Sequence, residues 1–314
     1  MRGQSRQPTA DSRRSVIRIF ALALLAVSCG LSASASAADK PLVIAIFAPN
    51  AAFESGGARF EFVNRLAQQI TSAAGVPAEG KAFARASDLE AAIRNKQVDF
   101  AILDGVYLAE RGVPYNVLAT ATSGGDTAPR WALFTSTAAS VQELQGKKLT
   151  MASAGPRDSA FIENALFDGE LQIAKFFAAR SSAPDLNSAV ASVNLKKADA
   201  VFAPETQGKG LRKIFDAGRV PNPAFCEIST SLSADVVNKV KQAVLSHGAA
   251  GPALDGWKPS GADAYKALAS RMGARSRRPV MVEPEPVRLD AGDVLVEPTL
   301  ETAAPDLKAL YWTP

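Results

Sequence analysis

Short apolar runs that alternate with amphipathic helical patterns constrain the fold of this chain most strongly. Residues 42–47 (LVIAIF) and 98–103 (VDFAIL) are apolar runs typical of strands buried on both faces. Apolar residues at helical spacing predict helices over residues 60–74 and 87–95. Strands that alternate with helices predict an α/β fold with a parallel or mixed sheet.

The same alternation continues through the second half of the chain. The segment GRVPNP at 218–223 interrupts it with a break rich in proline. Further strands are predicted at residues 131–136, 148–153, 198–202 and 224–229, and further helices at 159–168, 186–195, 233–246 and 261–272.

Residues 140–168 bring a strand, a tight turn and a helix start together. The strand ends at Ala154, Gly155 and Pro156, and the next helix begins at Asp158 and Ser159. Backbone N–H groups at such a helix start point toward one place and suit an anion or an ordered polar ligand. This segment indicates a binding site rather than a reaction centre.

The first 37 residues have the pattern of an export signal. Arg13 and Arg14 precede an apolar run from Val16 to Cys29, and small residues follow as far as Ala38. Because the apolar run is shorter than the ~20 residues that span a bilayer, we expect export with cleavage. The arginine pair leaves both the twin-arginine and the general export route open, and Cys29 is either a small residue of the signal or a site of lipid attachment.

Removal of this signal would leave a chain without net charge. Five of the 35 basic side chains, but one of the 31 acidic ones, lie in residues 1–37. Nucleic acid and anionic membrane surfaces are therefore not expected as partners. Cys226 would be the remaining cysteine, so the fold is expected to depend on a large core and not on an internal disulfide.

Residues suited to catalysis are scarce in this sequence. His247 is its single histidine and follows a long predicted helix, which it helps to end. Cys226 lies in a predicted strand and is interpreted as a small buried side chain. The sequence has no Cys/His cluster with metal-ligand spacing and no nucleotide or hydrolase signature. We therefore predict no catalytic residues, no metal and no cofactor, and a protein that is not an enzyme.

Five consecutive segments resemble one family. They are the strand and loop at 44–53, VDFAILDGVYLAERG, SVQELQGKKLTMASAGPRDSAF, ASVNLKKADAVFAPE and VPNPAFCEISTSLSADVVNKVKQAVL. In this order they resemble the periplasmic phosphate-, phosphite- and phosphonate-binding proteins of ABC importers over roughly residues 41–272. The resemblance implies the type 2 periplasmic-binding-protein fold, in which two α/β lobes joined by two crossover hinge strands close on a ligand.

The resemblance also implies a division of the chain. Residues 1–37 are the export signal, 38–122 with 222–275 form lobe 1, 123–221 form lobe 2, and 276–314 form an extended C-terminal tail. The hinge strands are expected at 119–122 and 221–224. The tail is either a strap packed over one lobe or a docking element for a partner.

The family's site positions correspond here to residues of four loops that should face the cleft. Asn50 offers an amide and Tyr107 a hydroxyl, Gly105 allows close backbone approach, and Phe53 either lines the cleft or packs on the next helix. The full set of expected ligand-binding residues is Asn50, Phe53, Asp104, Gly105, Tyr107, Arg157, Ser159 and Glu205.

The third of these loops departs from the family. A Ser-Thr-Ser-Gly run usually holds phosphoryl oxygens there, whereas this chain has GPRDSA at 155–160. Arg157 and Ser159 can still bind an anion, while Asp158 is explained as an acidic residue in a first helical turn. Glu205 stands one or two positions beyond the place of the family's site carboxylate. A phosphate- or phosphonate-like oxyanion and an amine-bearing or zwitterionic solute both stay open as ligands.

These observations predict an exported, periplasmic solute-binding protein that captures a small polar ligand between its lobes. Its partners would be that solute and the permease of an ABC importer. Contact with the membrane is expected only through the partner or a lipid at Cys29. The alternative is an envelope sensor or interaction protein with the same fold, which binds a different ligand or a protein.

Overall fold

The computed structural model describes residues 40–248 and 253–273. Two α/β units, each built on one sheet, make up this part of the chain. The elements of the first half are β1 (Leu42–Phe47), α1 (Gly56–Ala74), β2 (Ala78–Ala82), α2 (Ala86–Arg94), β3 (Phe100–Leu103), α3 (Gly105–Glu110), β4 (Asn116–Thr122), β5 (Arg130–Thr135), a 3₁₀ turn (Gln142–Leu144) and β6 (Lys148–Ala152).

The second half begins with a helix that changes its pitch. An α-helical turn, α4 (Asp158–Ala160), continues directly as a π-helix (Phe161–Leu166). The elements that follow are α5 (Ile173–Phe176), β7 (Ala179–Ala183), α6 (Leu186–Asn194), β8 (Ala200–Pro204), a 3₁₀ turn (Glu205–Gln207), β9 (Arg212–Arg219), β10 (Ala224–Glu227), α7 (Ala234–Leu245), β11 (Gly256–Pro259) and α8 (Asp263–Gly273).

The unit that we call lobe 1 has six strands in the order β11-β4-β10-β3-β1-β2. β1 pairs in parallel with β2 and β3, whereas β10 runs antiparallel between β3 and β4. Side chains alternate across the sheet, so Ile44 and Ile46 pack under α1 and α7 while Phe47 belongs to the core on the opposite face. Both faces of the central strands are therefore buried, as their apolar runs predict.

The unit that we call lobe 2 has five strands in the order β7-β6-β8-β5-β9. β6 pairs in parallel with β7 and β8, and β5 is antiparallel to β8 and β9. All five strands come from residues 130–219, so lobe 2 is a continuous insertion between β4 and β10 of lobe 1.

Two crossover segments, residues 123–129 and 220–223, connect the lobes and bind each other. The backbone N–H of Asn222 donates to the carbonyl of Thr127 at 2.8 Å, and its Nδ2 donates to the carbonyl of Asp126 at 2.9 Å. A double connection of this kind lets two lobes open and close while their hinge stays fixed.

A second set of contacts joins the lobes on the side of the cleft. The N–H of Leu186, at the start of α6 in lobe 2, donates to the carbonyl of Pro49 at 2.9 Å. Asn187 Nδ2 donates to the carbonyl of Phe53 at 2.7 Å. Since Pro49 and Phe53 belong to the loop after β1, lobe 1 and lobe 2 are in direct contact here.

The predicted α/β fold with two lobes and two crossovers is confirmed by this arrangement. The predicted helix at 159–168 is present in part as the α-to-π helix. The strands β2, β7, β9 and β11 were not predicted. The export signal, Cys29 and the C-terminal tail at 276–314 lie outside the described residues.

Candidate ligand-binding site

A small cavity lies where the two lobes meet the second crossover segment. It encloses about 20 Å³, and a buried water needs roughly 10–15 Å³. This cavity therefore has room for about one water molecule. The cavity wall consists of Asn50, Asp104, Gly105, Val106, Trp131, Pro204, Val220, Pro221, Asn222 and Pro223.

Asp104 is the charged residue of the cavity wall. Its carboxylate precedes α3 and accepts hydrogen bonds from the backbone N–H groups of Val106 and Asn50, both at 2.9 Å. Asn50 Nδ2 donates to it at 3.1 Å. The side chain is 1% exposed, and burial raises the pKa of Asp104 although these hydrogen bonds act against the shift. Asp104 thus caps α3 and ties the loop after β1 to the loop after β3.

Hydrogen-bond acceptors dominate the polar part of the cavity wall. Asn50 Oδ1 is buried and has no hydrogen-bond partner within the described part of the chain. Asn222 uses its amide donors on the carbonyls of Ala121 and Asp126. The wall contains no lysine, arginine or histidine among the described residues. Such a site suits a ligand that brings its own N–H or O–H donors.

Trp131 supplies an aromatic surface from lobe 2. It begins the buried part of β5, is 3% exposed, and packs edge-on against Phe161 with ring centres 6.0 Å apart. An indole ring is the aromatic group that attracts cations most strongly. The sequence predicted a strand at this position but not a residue of the site, because strand periodicity says nothing of which end faces the other lobe.

Gly105 allows the second crossover to approach α3 closely. A Cβ atom at this position would lie 2.2 Å from the carbonyl oxygen of Pro221. Any larger residue would displace the crossover, so glycine allows the crossover to pack against the start of α3.

Arg59 is a buried cation beside the cavity that the sequence did not reveal. It lies in α1, is 5% exposed, and its guanidinium is 6.0 Å from the centre of the Phe53 ring. Burial lowers the pKa of Arg59, while the charges of Asp185 and Asp104 act in the opposite direction. Since Asp185 belongs to lobe 2 and Asp104 to lobe 1, Arg59 balances carboxylates from both sides of the boundary.

The turn between β6 and α4 already holds two carboxylates of the chain itself. Asp158 is 3% exposed. It accepts hydrogen bonds from Ser153 Oγ at 2.9 Å and from the N–H groups of Ala154 and Gly155, both at 3.2 Å. Glu110 reaches the same turn from lobe 1 and accepts the N–H of Arg157 at 3.1 Å. The helix start that the sequence assigned to a ligand thus has internal partners.

Three of the predicted ligand-binding residues, Asn50, Asp104 and Gly105, lie together in the cavity wall. The aromatic pair lies behind it. Phe53 packs against Phe62, with ring centres 5.4 Å apart, and Tyr107 packs against Phe47 at 5.3 Å. Burial raises the pKa of Tyr107 to about 12, which keeps its hydroxyl protonated.

The three predicted residues of lobe 2 lie outside the cavity wall. Arg157 has an exposed side chain, and Ser159 is half-buried inside the helix. Glu205 is exposed and forms an ion pair with Lys213 on the surface of lobe 2. Lobe 2 contributes Trp131 and Pro204 to the wall instead.

The residues considered for catalysis lie apart from the cavity. His247 follows α7, and its Nδ1 contacts Oε1 of Gln69. Cys226 is fully buried in β10, where burial raises the pKa of its thiol. Residues 40–248 and 253–273 contain no group of three His, Cys, Asp or Glu side chains suited to a metal. None of the helices in these two ranges is long and apolar enough to cross a membrane.

A model of the family described as "ABC transporter, phosphonate, periplasmic substrate-binding protein" matches residues 53–283. The chain belongs to this family. The resemblance inferred from the five segments is thereby confirmed. This is a family of substrate-binding proteins of ABC transporters and not a family of enzymes. Membership therefore implies a small solute and the transporter subunits as partners. Among curated proteins, no sequence matches this chain.

Solved structures of similar proteins have the same fold. A binding-protein component of an ABC phosphonate transporter from Pseudomonas aeruginosa superposes with a TM-score of 0.58 at 13% identity, over 75% of this chain and 86% of that protein. A protein from Prochlorococcus marinus in complex with methylphosphonate superposes with a TM-score of 0.59 at 11% identity, over 74% of this chain and 97% of that protein. A protein from Xanthomonas citri bound to ATP superposes with a TM-score of 0.55 at 14% identity, over 74% of this chain and 96% of that protein. At these identities the likeness shows the type 2 periplasmic-binding-protein fold.

Proposed function

We propose that this phosphonate-family protein is exported to the periplasm, closes its lobes on a small polar solute and delivers it to the permease of an ABC importer. The observation that carries the proposal is the cavity between the lobes, whose wall combines residues of lobe 1, of lobe 2 and of the second crossover segment. A ligand placed there contacts both lobes at once, so its binding favours the form in which the lobes are closed.

We propose further that the solute presents an amine or a comparable donor group to this cavity. Asp104 and the unpartnered Oδ1 of Asn50 supply acceptors, and Trp131 supplies an aromatic ring. A carboxylate with an indole is a favourable surrounding for an ammonium group. A phosphonate group elsewhere on the same molecule would agree with the family description, and a zwitterion would satisfy both.

The test is a thermal-shift and calorimetry screen of residues 38–314. The panel contains phosphate, phosphite, methylphosphonate and sulfate, and against them amino acids, polyamines and aminoalkylphosphonates. A solute at about a hundred times its Kd adds roughly 2.7 kcal/mol to the free energy of unfolding, which is a rise of about 5–10 °C in Tm. We expect a rise with amine-bearing solutes.

Two variants connect that response to the cavity. Asp104→Asn removes the charge while it keeps the shape, and Trp131→Phe removes the indole while it keeps an aromatic ring against Phe161. Both should weaken binding at least tenfold. Asp235→Asn is the matched control, since Asp235 is exposed on α7 and pairs with Lys239. A response confined to phosphate, phosphite or sulfate, or one unaffected by both cavity variants, would contradict the proposed ligand class.

A further inference from the structure

We propose that Glu110 is a specificity-determining residue that takes the place of an oxyanion at the turn between β6 and α4. The inference rests on the proposed function, because it concerns which solutes the closed lobes accept. Its consequence is that free phosphate- and sulfate-like anions are excluded from this turn by the chain's own carboxylate.

The turn has the donors of an anion site. Four groups converge on it, namely the hydroxyl of Ser153 and the N–H groups of Ala154, Gly155 and Arg157. They precede a helix that continues from α4 into the π-helix as far as Leu166. Donors in this arrangement attract negative charge. In this chain two carboxylates, Asp158 and Glu110, accept all four of them.

The two carboxylates reach the turn in different ways. Asp158 is the first residue of the helix and accepts hydrogen bonds from the three residues that lie three to five positions before it. Glu110 ends α3 of lobe 1, 47 residues away in the chain from Arg157, and reaches the turn only across the boundary between the lobes. It therefore behaves toward lobe 2 as a ligand would, because closure brings it in and opening takes it away.

Glu110 is a buried carboxylate and not a surface side chain. It is 8% exposed, and its Oε2 is buried without a hydrogen-bond partner within the described residues. A Cβ atom on Gly155 would lie 2.3 Å from that oxygen. The glycine thus leaves a space against the turn, and the carboxylate of Glu110 fills it.

The charges around Glu110 support exclusion of a second anion. Asp158 on the turn is negative, and the basic groups that act on Glu110 are Arg157 and Arg111. Arg157 has an exposed side chain, and Arg111 forms an ion pair with Glu90 at 2.6 Å. An added sulfate or phosphate would meet two buried carboxylates at close range, where repulsion is strong because little water screens it.

The experiment asks whether replacement of Glu110 increases the affinity of the chain for sulfate and phosphate. Sodium sulfate and inorganic phosphate are titrated into residues 38–314 of the unaltered chain, Glu110→Ala and Glu110→Gln, at constant ionic strength with sodium chloride. Calorimetry gives Kd, and the thermal shift reports binding independently. Glu61→Ala is the matched control, since it removes the same charge from lobe 1 at a side chain that is 71% exposed.

We expect Glu110→Ala to bind sulfate and phosphate at least tenfold more tightly than the unaltered chain does, and Glu110→Gln to show a smaller gain because it keeps the acceptor. Glu61→Ala should behave as the unaltered chain. The proposal is overturned by equal oxyanion affinity in Glu110→Ala and the unaltered chain, or by an equal gain in Glu61→Ala. If Glu110→Ala does not fold, the isosteric Glu110→Gln decides in the same way.

A failure of the proposed function would be seen in a different measurement from a failure of this inference. It would appear as an unaltered chain that responds to no amine-bearing solute, whereas the comparison between Glu110 variants uses sulfate and phosphate alone. Each outcome can therefore occur without the other.

Discussion

Replacement of Asp104 should separate the structural from the ligand-binding contribution of the cavity wall. In Asp104→Ala, the N–H groups of Asn50 and Val106 and the side-chain amide of Asn50 lose their acceptor. Each hydrogen bond to a charged group is worth about 1.5–3 kcal/mol. The gross loss of about 4.5–9 kcal/mol is offset by several kcal/mol, because a buried charge no longer has to be desolvated.

The net decrease in the free energy of unfolding should therefore be about 3 kcal/mol, or about 6–12 °C in Tm. Asp104→Asn keeps one acceptor for the start of α3, where asparagine caps as well as aspartate does. We expect it to cost about 1–2 kcal/mol, since its amide donors face the N–H of Asn50.

Urea denaturation followed by circular dichroism measures both values. Asp235→Ala provides the control, because Asp235 is 73% exposed and its loss should change the free energy of unfolding by less than about 0.5 kcal/mol. A loss below 1 kcal/mol in Asp104→Ala, or an equal loss in Asp104→Asn, would refute the assignment of the network to these hydrogen bonds.

Three further predictions concern the hinge, the lobe boundary and the histidine. Gly105→Ala should lower the free energy of unfolding by about 2 kcal/mol through contact with Pro221. Gly57→Ala is its control in the same urea titration and should be neutral or stabilising, because the new Cβ would lie 3.5 Å from Oγ of Ser55, an ordinary contact distance. Burial raises the pKa of Glu110, so Glu110 keeps its proton to a higher pH in the folded chain than in the unfolded chain. The free energy of unfolding should therefore fall as the pH rises from about 4.3, the unfolded pKa, to the folded pKa. Glu110→Gln should remove that part of the slope in denaturation curves between pH 4 and 7, and an unchanged slope would contradict it. His247→Ala should leave the Kd of the solute within about twofold of the unaltered value, because His247 is absent from the cavity wall. Calorimetry on the folded variant measures this Kd, and a loss of binding would show that His247 belongs to the binding site.

Apolar periodicity predicted those elements that are buried on both faces. β1, β3, β6 and β8 appear close to their predicted positions because their burial dictates an apolar run. β2 and β7 lie at sheet edges with mostly exposed residues, so their sequences AEGKA and ARSSA carry no such signal.

The candidate site was predictable only where a loop follows a buried strand. Asp104 comes directly after β3, and Asn50 lies three residues after the end of β1. The carboxyl ends of adjacent parallel strands meet at one edge of a sheet. Glu110 and Arg59 lie in helices, where a charged residue normally indicates a solvated face. In the folded chain Glu110 accepts the N–H of Arg157 from lobe 2, and Arg59 interacts with the charge of Asp185 from lobe 2. Local sequence does not encode this proximity.

The position of β10 has a consequence for the order in which the lobes can assemble. It separates β3 from β4 in the sheet of lobe 1, yet about a hundred residues of lobe 2 are synthesised between β4 and β10. At a synthesis rate of about 5–20 residues per second, β10, which joins β4 to the rest of the sheet, is made roughly 5–20 s after β4. Lobe 2 needs only its own continuous segment, so it can form first, and arrival of β10 then completes lobe 1.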